Sequence, residues 1–123
     1  MNHKELDVWK KSILLAKRIY KLTREFPKEE IYGITSQLRR ASVSVSTNIA
    51  EGSARKGNKE FIQFLHISLG SLAELETLII ISRKIDYLSE KQKIETLDLI
   101  TDCSKLTYGL IKYITKNKKP TIS

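Results

Sequence analysis

Seventeen residues, Ser36 to Gly52 (SQLRRASVSVSTNIAEG), have to satisfy three surroundings at once, and that narrows what the chain can fold into. Read as a helix, the run and its flank put Ile34, Leu38, Ala41, Val45 and Ile49 on one narrow apolar stripe. Gln37, Arg40, Ser44, Asn48 and Glu51 form a wholly polar stripe beside it, and Arg39, Val43, Ser46 and Ala50 a third side of mostly small or weakly apolar residues. A plain surface helix needs one buried side. This one predicts a core side, a polar side and a side where another backbone can come close. Ser42 to Thr47 also alternates with period two and carries β-branched residues, which is a strand signal. The helical stripe extends past the alternating run at both ends, so helix is the reading taken.

The remaining sequence supplies three more helical segments. In the first, Leu6, Trp9, Ile13, Ala16, Tyr20 and Thr23 follow a three–four spacing, with Ser12, Leu15, Ile19, Leu22 and Phe26 as an adjacent row. Two rows make the wide buried face of a bundle helix. Pro27 stops it. Glu29 and Glu30 suit the start of helix two, and Gly52 or Gly57 its end. Asn58 is the expected N-cap of helix three, where Phe61, Leu65, Ser68, Leu72, Leu75, Ile79 and Ser82 keep strict spacing and Phe64, Ser71, Leu78 and Ile85 widen the face. Gly70 and Ser71, mid-helix, predict a close helix crossing. Ser89 to Gln92 has the form of a capping box opening helix four. There, Leu97, Ile100, Ser104, Thr107, Ile111 and Ile114 mark one face and Leu99, Cys103, Leu106, Leu110 and Tyr113 another. The expectation is a single all-α domain, an antiparallel up-down-up-down four-helix bundle, with helices near 7–25, 31–54, 58–85 and 89–116, joined by short links. The tail KNKKPTIS is expected to fray.

Several chemistries find no support in the residues. Cys103 is the only cysteine, so no internal disulfide is possible, and a cytoplasmic location is expected. No signal-peptide pattern opens the chain, no segment reads as an apolar run long enough for a bilayer, and no membrane role is expected. His66 follows Gln63 rather than the glutamate a di-iron helix motif would need. Of the carboxylates, Glu51 has Arg55 four residues on, which favours an ion pair. Glu74 and Glu76 lie on different sides of a helix, and Glu60 stands apart. No metal or cofactor is expected. The net charge of +8 favours an anionic partner, nucleic acid before acidic membrane. Arg39, Arg40, Arg55, Lys56 and Lys59, opposed only by Glu51 and Glu60, are the candidate nucleic-acid contacts. Gln37, Ser44, Asn48 and Glu51 are the candidate polar interface.

The run QLRRASVSVSTNIAEGSARKGNKEFIQFLHISLGSLAELETLI, with the opening LDVWKKSILLAKRIYKLTREFPKEEIYGITSQLRRA, resembles a family of four-helix bundle proteins. It includes proteins encoded by intervening sequences of bacterial large-subunit ribosomal RNA genes. The resemblance covers Leu6 to Tyr87. Two positions depart from it: Ser46 stands where the family often has proline, and Ser42 where it has alanine. The missing proline removes a kink-forming residue from helix two.

The resemblance implies an oligomeric ring, commonly of five subunits, with no established enzymatic activity. A basic relative is an accessory to the reverse transcriptase of a retroelement, which implies nucleic-acid or ribonucleoprotein association. The expected function is therefore a non-enzymatic homo-oligomer that binds RNA or DNA through its basic residues, mainly by backbone and shape because aromatics are few. The third side of helix two (Val43, Ser46, Ala50) is the expected oligomer contact. A protein-binding scaffold is the alternative. A metal-dependent nuclease or nucleotide hydrolase would need a denser acidic cluster than the sequence offers.

Overall fold

The computed structural model describes residues 1–117, and the tail beyond Asn117 lies outside the described residues. Four helices carry the fold: α1 Asp7–Thr23, α2 Ile34–Ser53, α3 Asn58–Lys84 and α4 Glu90–Lys116. Each packs on its neighbours in sequence, α1 closes on α4, and the diagonal pairs do not touch. That is an antiparallel up-down-up-down four-helix bundle. Ser42 to Thr47 is helical, and α2 runs unbroken through Ser46, whose side chain bonds back to the Val43 carbonyl at 3.2 Å.

Local chemistry sets the helix ends. Ser89 caps α4 as a capping box: its hydroxyl accepts from the Gln92 amide at 3.1 Å, and Gln92 Oε1 accepts from the Ser89 amide at 2.9 Å. α3 ends in a Schellman turn, with the Tyr87 N–H on the Ser82 carbonyl at 2.9 Å and the Asp86 N–H on Arg83 at 3.1 Å. Asp86 holds the left-handed position there, at φ 65°. Helix two begins after Gly33, so Glu29 and Glu30 lie in a separate 3₁₀ turn rather than its first turn. Glu30 instead accepts from the Tyr87 hydroxyl at 2.7 Å, and Phe26 stacks on the Tyr87 ring, which ties the α1–α2 link to the end of α3. Gly57, not Asn58, occupies the N-cap position of α3.

The core shows which of the sequence rows face inward. In α1 the inner row is Ser12, Leu15, Ile19 and Leu22, continued by Phe26; Ile13 and Tyr20 of the other row are exposed. In α4 the buried line is Thr96, Ile100, Cys103, Thr107 and Ile114, which follows the first expected face with Cys103 of the second and leaves Leu106 and Tyr113 outside. Buried hydroxyls make this possible, because Thr96 and Thr107 each donate to the carbonyl four residues back at 2.7 Å. The α2 stripe from Leu38 to Ile49 and the α3 line from Phe61 to Ser82 are buried as a helical reading requires.

The closest backbone approach is not at Gly70, where an added Cβ would meet nothing within 4 Å. The tight glycine is Gly52, in the last turn of α2, which ends at Ser53 within the expected range of Gly52 to Gly57: a Cβ there would sit 2.7 Å from Phe64 Cβ and 2.9 Å from Phe61 Cδ1. Ser68 extends the same contact by donating to the Val45 carbonyl of α2 at 2.9 Å. A second correction concerns α3 as a whole. By length and composition it is apolar enough to cross a bilayer, with an 18-residue window of mean hydropathy 1.6, of which 39 % is buried in the bundle. Isolated serines and glutamates break it into short runs to the eye, but the average over the window stays apolar.

Candidate nucleic-acid interface

The five basic residues named from sequence do not form one patch. Arg39 and Arg40 lie in the second turn of α2, whereas Arg55, Lys56 and Lys59 cluster around the turn to α3. Fifteen residues of near-helical chain separate Arg40 from Arg55, which is about 22 Å.

Within each group the side chains differ in availability. Arg39 is half-buried against α1: its Nε donates to Thr23 Oγ1 at 2.9 Å and its guanidinium lies 4.8 Å from the centre of the Tyr20 ring. It holds α2 to α1 by a hydrogen bond and a cation–π contact. Arg55 pairs with Glu51 at 3.1 Å and covers Phe64 at 4.9 Å. Arg40, Lys56 and Lys59 are exposed and have no acidic partner within ion-pair distance among the described residues. Lys116 ends α4 at the same end of the bundle as Lys59, because Lys59 and Thr115 line a common depression. It is a further exposed cation, the last residue of α4 and the first of the tail expected to fray; the register of the α4 stripe is the signal that places it.

The polar stripe of α2 is partly used inside the fold. Ser44 Oγ accepts from Ser71 of α3 at 2.8 Å and from Asn48 Nδ2 at 3.0 Å. Gln37, Arg40, Ser44, Ser71 and Glu74 line an open groove of about 740 Å³ along α2. Glu74 lies in that groove with Arg40 and offsets part of its charge. The third side is also partly occupied: Arg39 is bonded to α1, Ser46 and the neighbouring Ser42 are buried, Ala50 is half-buried, and Val43 alone of the expected contact is exposed, at 40 %. Aromatics are more available than their number suggested, since Tyr20, Tyr32, Tyr108 and Tyr113 are all exposed.

Cys103 is fully buried, and that burial pushes its thiol up to about 11. Its ordinary value is near 9, so between those values the unfolded chain gives up a proton that the folded chain keeps. The unfolded state then binds fewer protons, and stability falls as pH rises through that window. Urea melts at pH 8 and pH 10.5 should show a loss for the wild type that is smaller in Cys103→Ala. Equal losses would mean the thiol is not held protonated by the core. Among the described residues no three His, Cys, Asp or Glu side chains come together as a metal site. His66 is exposed on α3, and Glu74 and Glu76 stand on separate edges of that helix.

A basic antiparallel four-helix bundle is the class this geometry defines. The comparisons make it particular. The family model of the 23S rRNA-intervening sequence protein matches residues 4–109, and the chain belongs to that family. The chain is also similar to a crystal structure of a protein of unknown function from the S23 ribosomal protein family of Bacteroides thetaiotaomicron. The two share 26 % sequence identity and superpose with a TM-score of 0.77 over 85 % of this chain and 98 % of that one. No curated protein matches the chain significantly.

Proposed function

We propose that the protein is a non-enzymatic, self-associating bundle of the cytoplasm that binds nucleic acid through the α2–α3 end. The observation that carries this reading is that Lys56 and Lys59, with Lys116 at the same end of the bundle, are exposed and free of acidic partners among the described residues. Lysine heads on mobile stems make point contacts to phosphate. Arg40 adds a second contact along α2, and Arg39 and Arg55 act mainly by holding the helices that present the others. Repetition of such modest sites around an assembly gives avidity without a strong single site. Tyr113, one turn before Lys116 on α4, offers a stacking surface for a single-stranded base. Family membership supports association with RNA or a ribonucleoprotein, and the resemblance supports a closed ring of five with a heterologous contact.

Titration of labelled single-stranded RNA, duplex RNA and duplex DNA at several salt concentrations tests the reading. Binding should weaken steeply with salt through counterion release. Lys56→Glu with Lys59→Glu should weaken it by roughly tenfold or more and flatten the log–log salt slope by about two contacts. Arg39→Gln should instead lower thermal stability. If the folded protein binds none of the three ligands at low salt, nucleic acid is not its partner, and the α2 groove with its Ser44–Ser71 network becomes a protein-docking surface.

A further inference from the structure

The outward face of α3 has no partner inside the subunit, and its make-up differs from the rest of the molecule. From Glu60 to Ser82 the helix carries three glutamates and no lysine or arginine, in a chain of net charge +8. Along its outermost line, opposite the buried row, run Ile67, Gly70, Ala73, Thr77 and Ile81, all exposed. Glu74 borders this strip on one edge and Glu76 on the other, and neither has an ion-pair partner among the described residues. Gly70 sits in the middle with open space around it. A mid-helix glycine costs about 1 kcal/mol relative to alanine, and nothing inside the subunit requires one here.

On the opposite side of the bundle, α1 presents the complement. Lys10, Lys17, Lys21 and Arg24 form its outermost line, none of them in an ion pair among the described residues. The other two basic residues of this helix, Lys11 and Arg18, are already used, on Asp102 and Glu95 of α4. Leu14, 54 % exposed, and Ile13 flank the free lysines with apolar surface. Since α1 and α3 are diagonal in the bundle, these two faces cannot meet within one chain.

We propose that the α3 outer face docks on the α1 outer face of a second copy of this chain, in a head-to-tail contact. Ile67 packs beside Leu14 and Ile13 of the neighbour, and lysine stems lie across the small strip at Gly70, Ala73 and Thr77. The ammonium groups of Lys17 and Lys21 reach the bordering Glu74 and Glu76. Lysine stems cover apolar surface while their heads stay charged, and opposed charges fix the register of the contact. Two different faces in contact give a heterologous interface, which closes into a ring when the rotation allows. The acids that border α3 repel nucleic acid and anionic lipid, so this face and the basic end serve different partners.

This inference rests on the self-association proposed above, and one series of measurements separates the two. Molar mass is measured by sedimentation over a range of concentrations for the wild type, Glu74→Lys/Glu76→Lys, Lys17→Glu/Lys21→Glu, the fourfold swap and Gly70→Leu. Each double variant should raise the dissociation constant by roughly tenfold or more, and the fourfold swap should recover most of the wild-type mass. Gly70→Leu should abolish assembly without lowering the thermal melt at dilution, because its side chain enters open space in the subunit and leucine favours the helix more than glycine does. A wild-type monomer at every concentration would overturn self-association itself. A wild-type oligomer whose mass ignores the charge reversals and Gly70→Leu would overturn this interface alone.

Discussion

Gly52→Ala should destabilise the bundle by about 2 kcal/mol, while Gly70→Ala and Gly109→Ala, measured at dilution, should each stabilise it by up to about 1 kcal/mol. Gly70 and Gly109 lie well inside their helices and Gly52 in the last turn of α2, so alanine brings helix propensity at each, though less at Gly52. What decides the sign is the space. At Gly70 and Gly109 a new methyl group meets no atom within 4 Å. At Gly52 it meets Phe64 Cβ at 2.7 Å, Phe61 Cδ1 at 2.9 Å and the Phe61 carbonyl oxygen at 3.2 Å. The first and last of these belong to or adjoin the α3 backbone, so a rotamer change cannot relieve the contact, and the two helices must separate. Separation loosens the Ser68–Val45 and Ser71–Ser44 bonds as well. Urea unfolding of the three variants gives the comparison. A Gly52→Ala protein as stable as the wild type would show that α2 and α3 are not packed this closely.

That contrast also marks where the sequence is readable. Periodicity identified the buried line of α3 residue by residue, because Phe61, Leu65, Leu72, Leu75 and Ile79 keep one spacing with only serines among them. In α4 it found Ile100, Cys103, Thr107 and Ile114, but it missed Thr96 and put Leu106 and Tyr113 on a packed face although both are exposed. A threonine whose hydroxyl bonds its own helix is an apolar residue to its neighbours, and a one-dimensional pattern cannot see that bond. The glycines failed for a related reason: Gly52 and Gly70 look alike in sequence, and only the neighbouring helix distinguishes a packing glycine from an exposed one. The basic residues were found as types, but their roles were not. Arg39 and Arg55 are held by partners on α1, α2 and α3 that lie at helical or long-range separations, while the packing of α4 on α3 puts Lys116 at the same end of the bundle as Lys59.

Leu65→Ala should cost the folded state about 2–5 kcal/mol, a large share of the roughly 5–15 kcal/mol that holds an ordinary domain together. Leu65 is fully buried near the start of the α3 line, between Phe61 and Ser68, so its removal leaves a cavity that the packed helices can close only in part. Two residues on, Ile67 is 50 % exposed on the outward strip. Ile67→Ala should change the stability of the dilute subunit by no more than about 0.5 kcal/mol, as expected for an exposed position. The pair therefore separates what α3 does inside the subunit from what it does outside. Thermal melts at dilution report the first role, and sedimentation at high concentration reports the second. Leu65→Ala should lower the melting temperature, and Ile67→Ala should lower only the mass of the assembly. If Ile67→Ala lowers the melting temperature as much as Leu65→Ala does, the strip is part of the subunit core and the outward face of α3 is not free to dock.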